Sequence, residues 1–289
     1  MKACRFRAVR RLLGCSSPPA SSFPLSAGPP SSAVGPPSSP VGPPRSAFVT
    51  LLSVETKLYL RSAVGLVLGL GLPVVLLVVF GSVPKFKEPA PELGGGTILS
   101  LYGPILSVLA IAFLGLVSLP IPLAGYREQG VLRRMSCTPA PPSWVLGAQL
   151  IVNLSVALVA LVILNAGIRA FGVAGPSHVG GYALAVILCV AEVFALGLWI
   201  AAVTRSAGFA NAVGQLLLYP MMFFAGLYFP REMMPSLLRH ISDWTPLGAA
   251  VHAMQQSAEG SFPGPQPLLV MAGYAVVFGL AALKQFKWE

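Results

Sequence analysis

The sequence predicts an all-α integral membrane protein, and two observations predict it together. The first is composition: 55% of the residues are hydrophobic and only 10% are charged, with a mean hydropathy of +0.77, whereas a soluble domain carries roughly 25% charged residues. The second is run length. Six apolar segments, about 63–82, 98–124, 144–171, 181–203, 207–229 and 268–283, reach or approach the ~20 residues a helix needs to cross a core of ~30 Å. The last is the shortest and has residues before Pro267 available to lengthen it. A six-span domain, 48–289, thus follows a compositionally distinct tail, 1–47.

The tail repeats Gly-Pro-Pro and Ser-Ser pairs, a composition that cannot bury a core and predicts disorder. Leu12-Leu13-Gly14-Cys15 imitates a lipoprotein cleavage box, but Arg10 and Arg11 interrupt the apolar stretch that should precede it. The arginine- and serine-rich, acid-free character up to Val54 also fits an organellar transit peptide, and a misplaced start codon fits it as well.

Before the first span, 48–61 reads as an amphipathic helix. Phe48, Leu51, Leu52, Leu58 and Tyr59 share one face, Lys57 and Arg61 the other, and Glu55 falls among the apolar positions. A carboxylate there needs a partner, and a salt bridge to a basic neighbour such as Arg134 is one expectation; packing on the membrane surface is the other. Between the second and third spans, 125–139 shows the same character. Stepping ~100° per residue from Arg127 gathers Val131, Met135 and Leu132 into one arc, sets Arg127, Arg133 and Arg134 around the rest of the wheel, and again puts an acid, Glu128, inside the apolar arc. Pro139, Pro141 and Pro142 stop the helix. An interfacial helix with its arginines on lipid phosphates and a helix built to meet another protein fit this pattern equally.

Lysine and arginine set the orientation. With both termini cytosolic, fourteen of the 19 lie inside, and Lys85, Lys87, Arg169, Arg231 and Arg239 lie outside. Without the tail the bias weakens to eight against five and keeps its sign. The net charge of +10 is therefore topology and tail, and predicts no nucleic-acid partner. Cys4, Cys15, Cys137 and Cys189 predict no disulfide, and His178, His240 and His252 lack metal-ligand spacing.

Polar residues inside spans usually face protein or water. That singles out Asn153, Asn165, Glu192, Asn211 and Gln215 as candidates for a substrate path, with helix-packing hydrogen bonds as the competing reading of the amides. Glu192, near the middle of its span, is suited to a cationic substrate or a proton, and equally to a hydrogen bond with a neighbouring helix. Pro220 reads as a kink. After the fifth span, Met233, Met234, Leu237, Leu238, Ile241 and Trp244 give the segment 230–263 an apolar face.

Arg127-Glu128-x-Gly130-x-Leu132-Arg133-Arg134, followed by Thr138-Pro139, resembles the first cytoplasmic loop of ABC-2 type permeases, the membrane subunits of one class of ATP-binding-cassette exporter. The stretch NAVGQLLLYPMMFFAGLYFP from Asn211, followed by Pro235, Leu238, Ile241 and Pro246-Leu247, is similar to that family's fifth span and outer re-entrant segment. The resemblance runs from about Ser46 to the end, and the sequence departs from it chiefly in the proline-rich tail. It implies that 125–139 is a cytosolic coupling helix, with Arg127, Glu128, Gly130, Leu132, Arg133 and Arg134 meeting a separate ABC ATPase subunit. It implies that 48–61 lies at the inner surface of the plasma (inner) membrane, and that a second permease copy or paralogue completes a dimer in the lipid. Pro230, Pro235 and Pro246 would frame an outer re-entrant hairpin acting as a gate. ATP and Mg²⁺ would sit on the partner. The sequence agrees, having no Gly-Lys-Ser/Thr phosphate loop and no soluble segment long enough for an ATPase fold.

The expectation is an exporter subunit, without catalytic or metal residues of its own, moving an amphipathic drug-like or lipid-linked substrate outward, though the family also handles polysaccharides. An intramembrane enzyme acting on a lipid or peptide is the rival, and it needs convergent acids, a Ser/His pair or a metal cluster where the spans offer one carboxylate. A structural or sensory membrane subunit fits the hydropathy too, but leaves both resemblances unexplained.

Overall fold

In the computed structural model, residues 44–88, 97–131, 143–229, 231 and 234–285 are described. Among them the chain is helical: α1 (Pro44–Arg61), α2 (63–82), α3 (Ile98–Glu128), α4 (Ser143–Ala170), α5 (Val179–Val203), α6 (Ala207–Phe224), α7 (Ser236–Trp244), α8 (Pro246–Ala258) and α9 (Pro265–Gln285). Five of these, α3 to α6 and α9, are long and apolar enough to cross a membrane; the apolar part of α2, Val67–Ser82, is shorter. The tail before Pro44 lies outside the described residues, and α1 begins four residues ahead of the expected start at Phe48.

The helices start where the sequence supplies caps. Thr97, His178 and Ser206 each accept a backbone N–H three residues on, from Ser100, Gly181 and Phe209, satisfying amides that open α3, α5 and α6. α3 is the hub of the bundle: 89% of its most apolar stretch is buried, against 17% for α9. The outer helices instead turn apolar side chains outward, among them Leu158 and Val162 on α4, Ile187 on α5, Leu216 on α6 and Val277 and Leu280 on α9. An apolar exterior is what a lipid solvent requires.

Lipid tails give helices no hydrophobic reason to associate, so contact quality decides. Two widened, five-residue-step turns interrupt α2 and α3, at Val67–Gly71 and Leu114–Ser118, and each is followed by Leu-Pro, ending at Pro73 and Pro120. Proline has no N–H to donate and its ring crowds the carbonyl four residues back. Widening the turn relieves that crowding. In α3, the Leu119 N–H bonds Leu114 O instead of Gly115 O, so Gly115 O and Leu116 O both lose their usual donor.

These carbonyls face glycines of the neighbouring helices. A Cβ on Gly197 of α5 would sit 1.9 Å from Gly115 O, and one on Gly214 of α6 would sit 2.2 Å from Leu116 O. Only glycine allows these backbones to meet, in the manner of Cα–H···O contacts. The two widened turns also touch each other through Gly69 and Leu114. Pro220, expected as a kink, does lie inside α6; the prolines that follow widened turns are Pro73 and Pro120.

Three boundaries move from their expected places. α3 does not end at Ala124 but runs to Glu128, and Gly130, with φ +65°, turns the chain directly after it. Residues 125–128 are therefore the last turn of α3, and 125–139 is not one separate helix. α6 stops at Phe224 rather than 229, with Gly226 at φ +92° in the turn. α9 starts at Pro265, taking in the residues ahead of Pro267. After α6, the hairpin α7–α8 is pinned back by Ser242, whose Oγ donates to Phe224 O at 2.6 Å. α8 is almost wholly buried, through Gly248, Ala249, Ala250 and Ala253, against α3, α5, α6 and α9.

Candidate functional site

A cavity of about 590 Å³ opens between α1, α2, α3, α4 and α6 at the end of the bundle that holds the N-terminal helix. Leu58, Leu68 and Ile121 give it apolar walls, and Glu55, Tyr126, Gln149, Asn211 and Gln215 supply its polar groups. Of the five candidate path residues, Asn211 and Gln215 line it. They sit one helical turn apart on α6, where Gln215 Nε2 donates to Asn211 Oδ1 at 2.9 Å.

Glu55 is the centre of the polar cluster. It is 4% exposed, and its carboxylate accepts the Tyr126 hydroxyl at 2.9 and 3.0 Å and Gln149 Nε2 at 2.6 Å. Among the described residues its partners are these neutral donors; Arg134, the basic neighbour expected to pair with it, lies outside the described residues. Burial raises the Glu55 pKa above its ordinary 4.5, and the two hydrogen bonds pull against that rise. The apolar-face position of Glu55 was visible in the sequence, but its partners lie 71 and 94 residues away, beyond any periodicity.

Asn153 sits behind this cluster. It is fully buried, its Nδ2 donates to Gln149 O at 2.9 Å, and its Oδ1 has no partner among the described residues. Asn165 belongs elsewhere: it lines a second cavity of about 420 Å³ at the opposite end, with Lys87, Thr97, Ser100 and Tyr182, and bonds Leu161 O of its own helix at 2.8 Å. Glu192 is fully buried in α5, lines neither cavity, and neither carboxylate oxygen has a hydrogen-bond partner. The hydrogen bond to a neighbouring helix expected for it is absent among the described residues. The five candidates are therefore not one site, and Glu55, Tyr126 and Gln149 replace three of them around the cavity beneath α1.

The Arg127-Glu128 pair folds inward. Arg127 Nη1 donates to the carbonyls of Ala201, Ala202 and Thr204 at 3.1, 2.9 and 3.3 Å, capping the end of α5. Glu128 Oε2 accepts the Ala207 N–H at 3.1 Å, where α6 begins. One dipeptide thus clamps both sides of the α5–α6 turn to the end of α3. Gly130 provides the turn that follows, and Leu132, Arg133 and Arg134 lie outside the described residues. At the other end, Pro235 precedes α7 and Pro246 opens α8 as its first residue; Pro230 lies outside the described residues. The expected apolar face of α7 is largely turned outward, with Leu237 and Trp244 exposed.

A bundle of apolar helices around an α3 hub, with an amphipathic helix at one end, a helical hairpin at the other and a cavity under the first, is the plan of a membrane permease. Residues 46–258 match the family described as ABC-2 type transporter, and the chain belongs to that family. No individual curated protein matches it. The chain is accordingly an integral membrane protein of a transporter family whose members serve as the permease component.

Proposed function

We propose that the chain is the permease subunit of an ABC exporter, which pairs in the plasma membrane with a second copy or a paralogue and draws its energy from a separate ATPase subunit holding ATP and Mg²⁺. The observation that carries the reading is the inner cavity: in a transporter-family chain, it joins apolar walls to Glu55, Asn211 and Gln215. That lining favours an amphipathic drug-like or lipid-linked substrate carrying a cation or hydrogen-bond donors. An apolar body stays on Leu58, Leu68 and Ile121 while the polar end meets the Glu55 cluster.

Six spans follow if α2 crosses along its whole length, since 63–82 is continuous enough in helical turns to rise about 30 Å. Both termini are then cytosolic, and α7–α8 is an outer hairpin re-entering the membrane through buried α8, with Pro235 and Pro246 as its fixed points. Gly130, Leu132, Arg133 and Arg134 form the surface that meets the ATPase. Arg127 and Glu128 act one step behind it, passing a push on that loop to the α5–α6 turn and so to Asn211 and Gln215 in the cavity wall.

The test is ATP-driven accumulation of a lipophilic cationic dye such as ethidium in inside-out vesicles holding permease and partner ATPase. Asn211→Leu or Glu55→Ala lowers accumulation while ATP hydrolysis persists. Absence of dye movement in vesicles with an active, chain-stimulated ATPase overturns the substrate class.

A further inference from the structure

Neither α2 nor α3 is a continuous α-helix, and both change at one level of the bundle, where Leu114 of α3 packs on Gly69 of α2. In each, two successive carbonyls are without their usual donor. In α2 these are Leu68 O and Gly69 O, because the Leu72 N–H bonds Val67 O and Pro73 has no N–H; in α3 they are Gly115 O and Leu116 O. The cavity beneath α1 lies to one side of this level. α2 gives it Gly65 and Leu68, α3 gives it Ser118, Ile121, Pro122 and Tyr126, and no described residue of 72–82 or 98–113 lines it. α1 fastens the same two ends together: Tyr59 donates its hydroxyl to Gly65 O at 3.1 Å, and Glu55 accepts that of Tyr126 at 2.9 Å.

Bending a regular helix breaks backbone hydrogen bonds; where those bonds are already unmade, a bend costs least. Where α3 crosses its neighbours at the turn, Gly115 O meets Gly197 of α5 and Leu116 O meets Gly214 of α6, backbone contacts that interlock no side chains. The other half of α3 has no such freedom, since every residue from Gly103 to Phe113 is buried. We infer that the two widened turns are a single hinge, about which 63–66, 119–128 and α1 swing as one body to open and close the cavity. Arg127 and Glu128 carry the α5–α6 turn with this body, and a swing breaks the hydrogen bond that Gln149 of α4 gives Glu55. A bend of about 20°, the size that marks a kink, displaces the end of the ~15 Å arm from Leu119 to Glu128 by about 5 Å. The hinge needs only the helix geometry; that its swing admits a substrate rests on the reading of the cavity as a transport site.

The experiment measures distances between nitroxide spin labels on the full chain in nanodiscs, in a cysteine-free background diluted with unlabelled chain. One pair, Ser53→Cys with Val162→Cys, joins the swinging body to α4; a control pair, Val162→Cys with Ser261→Cys, avoids that body, and all three residues are exposed. The expected Ser53–Val162 distribution is broader than the control's by about 5 Å, or split by that amount. It narrows to the control's width in Pro73→Ala/Pro120→Ala, where restored N–H groups let both turns close. Pro73→Ala alone, which leaves the buried α3 turn intact, takes the place of the double variant if that fails to fold, and narrows the distribution because the hinge needs both helices to bend. A distribution as narrow as the control's in the unaltered chain, or a broad one that neither proline variant narrows, overturns the hinge. Absence of dye movement beside an intact swing overturns the substrate class and leaves the hinge standing, whereas dye movement without any swing overturns the hinge alone.

Discussion

Replacing Arg127 with alanine separates two roles for the most recognisable motif in the chain. Its Nη1 carries two hydrogens toward three carbonyls, of Ala201, Ala202 and Thr204, so about two charge-assisted bonds are at stake. Such bonds contribute ~1.5–3 kcal/mol each when buried, and the half-buried setting puts the loss at the lower end. A further ~0.3–1 kcal/mol comes from the cation at the end of α5. Because water rehydrates part of what is exposed, Arg127→Ala is expected to cost about 2–3 kcal/mol. At ~2–4 °C per kcal/mol for a domain of this size, the unfolding midpoint in detergent falls by roughly 5–10 °C. Arg127→Lys recovers part of the loss, since a single ammonium keeps the charge but not the fork. The assay is intrinsic-fluorescence thermal unfolding of the purified chain beside ATP hydrolysis by the reconstituted pair. An unchanged midpoint with lost stimulation of the ATPase would refute the clamp and return Arg127 to the docking surface.

Gly214→Leu forces a side chain against Leu116 O and is expected to destabilise by at least ~1–3 kcal/mol, whereas Gly273→Ala, which meets nothing within 4 Å, is neutral or stabilising; expression and monodispersity by size exclusion compare them. The raised Glu55 pKa means the folded state holds its proton more tightly than the unfolded one. Stability from this group is then greatest below pH 4.5 and declines as pH rises through the raised folded value; Glu55→Gln flattens that decline, and a decline of equal slope in the variant counts against the assignment. In a cysteine-free background, Ser261→Cys is labelled by an impermeant maleimide in intact cells, while Ser53→Cys on α1 is not. Labelling of the second and not the first inverts the topology. Ser257→Cys is protected from either side because the residue is fully buried.

Five of the six expected spans were legible as helices long and apolar enough to cross a membrane, because a twenty-residue apolar run in a 10%-charged chain has few other fates. The ends were not. Arg127 and Glu128 look like loop residues by charge, yet they extend α3, because their partners are backbone atoms more than seventy residues away. Glu55 announced itself as an acid on an apolar face, and only the fold could supply Tyr126 and Gln149. The widened turns had an unused signal in VLGLGLP and LGLVSLP, where glycines precede a Leu-Pro pair. Burial of α8 had one too: small residues at 248–250 and 253, with no acid or lysine in the helix. Polarity alone grouped Glu192 and Asn165 with Asn211, because a polar residue within a span reports that it faces protein without saying which cavity.

The most direct measurement of the central claim is ATP hydrolysis by the candidate partner ATPase in proteoliposomes, with and without this chain. The chain alone is expected to hydrolyse nothing. The pair is expected to hydrolyse ATP faster than the ATPase alone and to lose that stimulation with Leu132→Asp, while the variant's insertion and unfolding midpoint stay unchanged. Hydrolysis by the isolated chain, or a pair whose rate and assembly are indifferent both to the chain and to Leu132→Asp, would contradict the reading of this protein as a permease driven by a separate subunit.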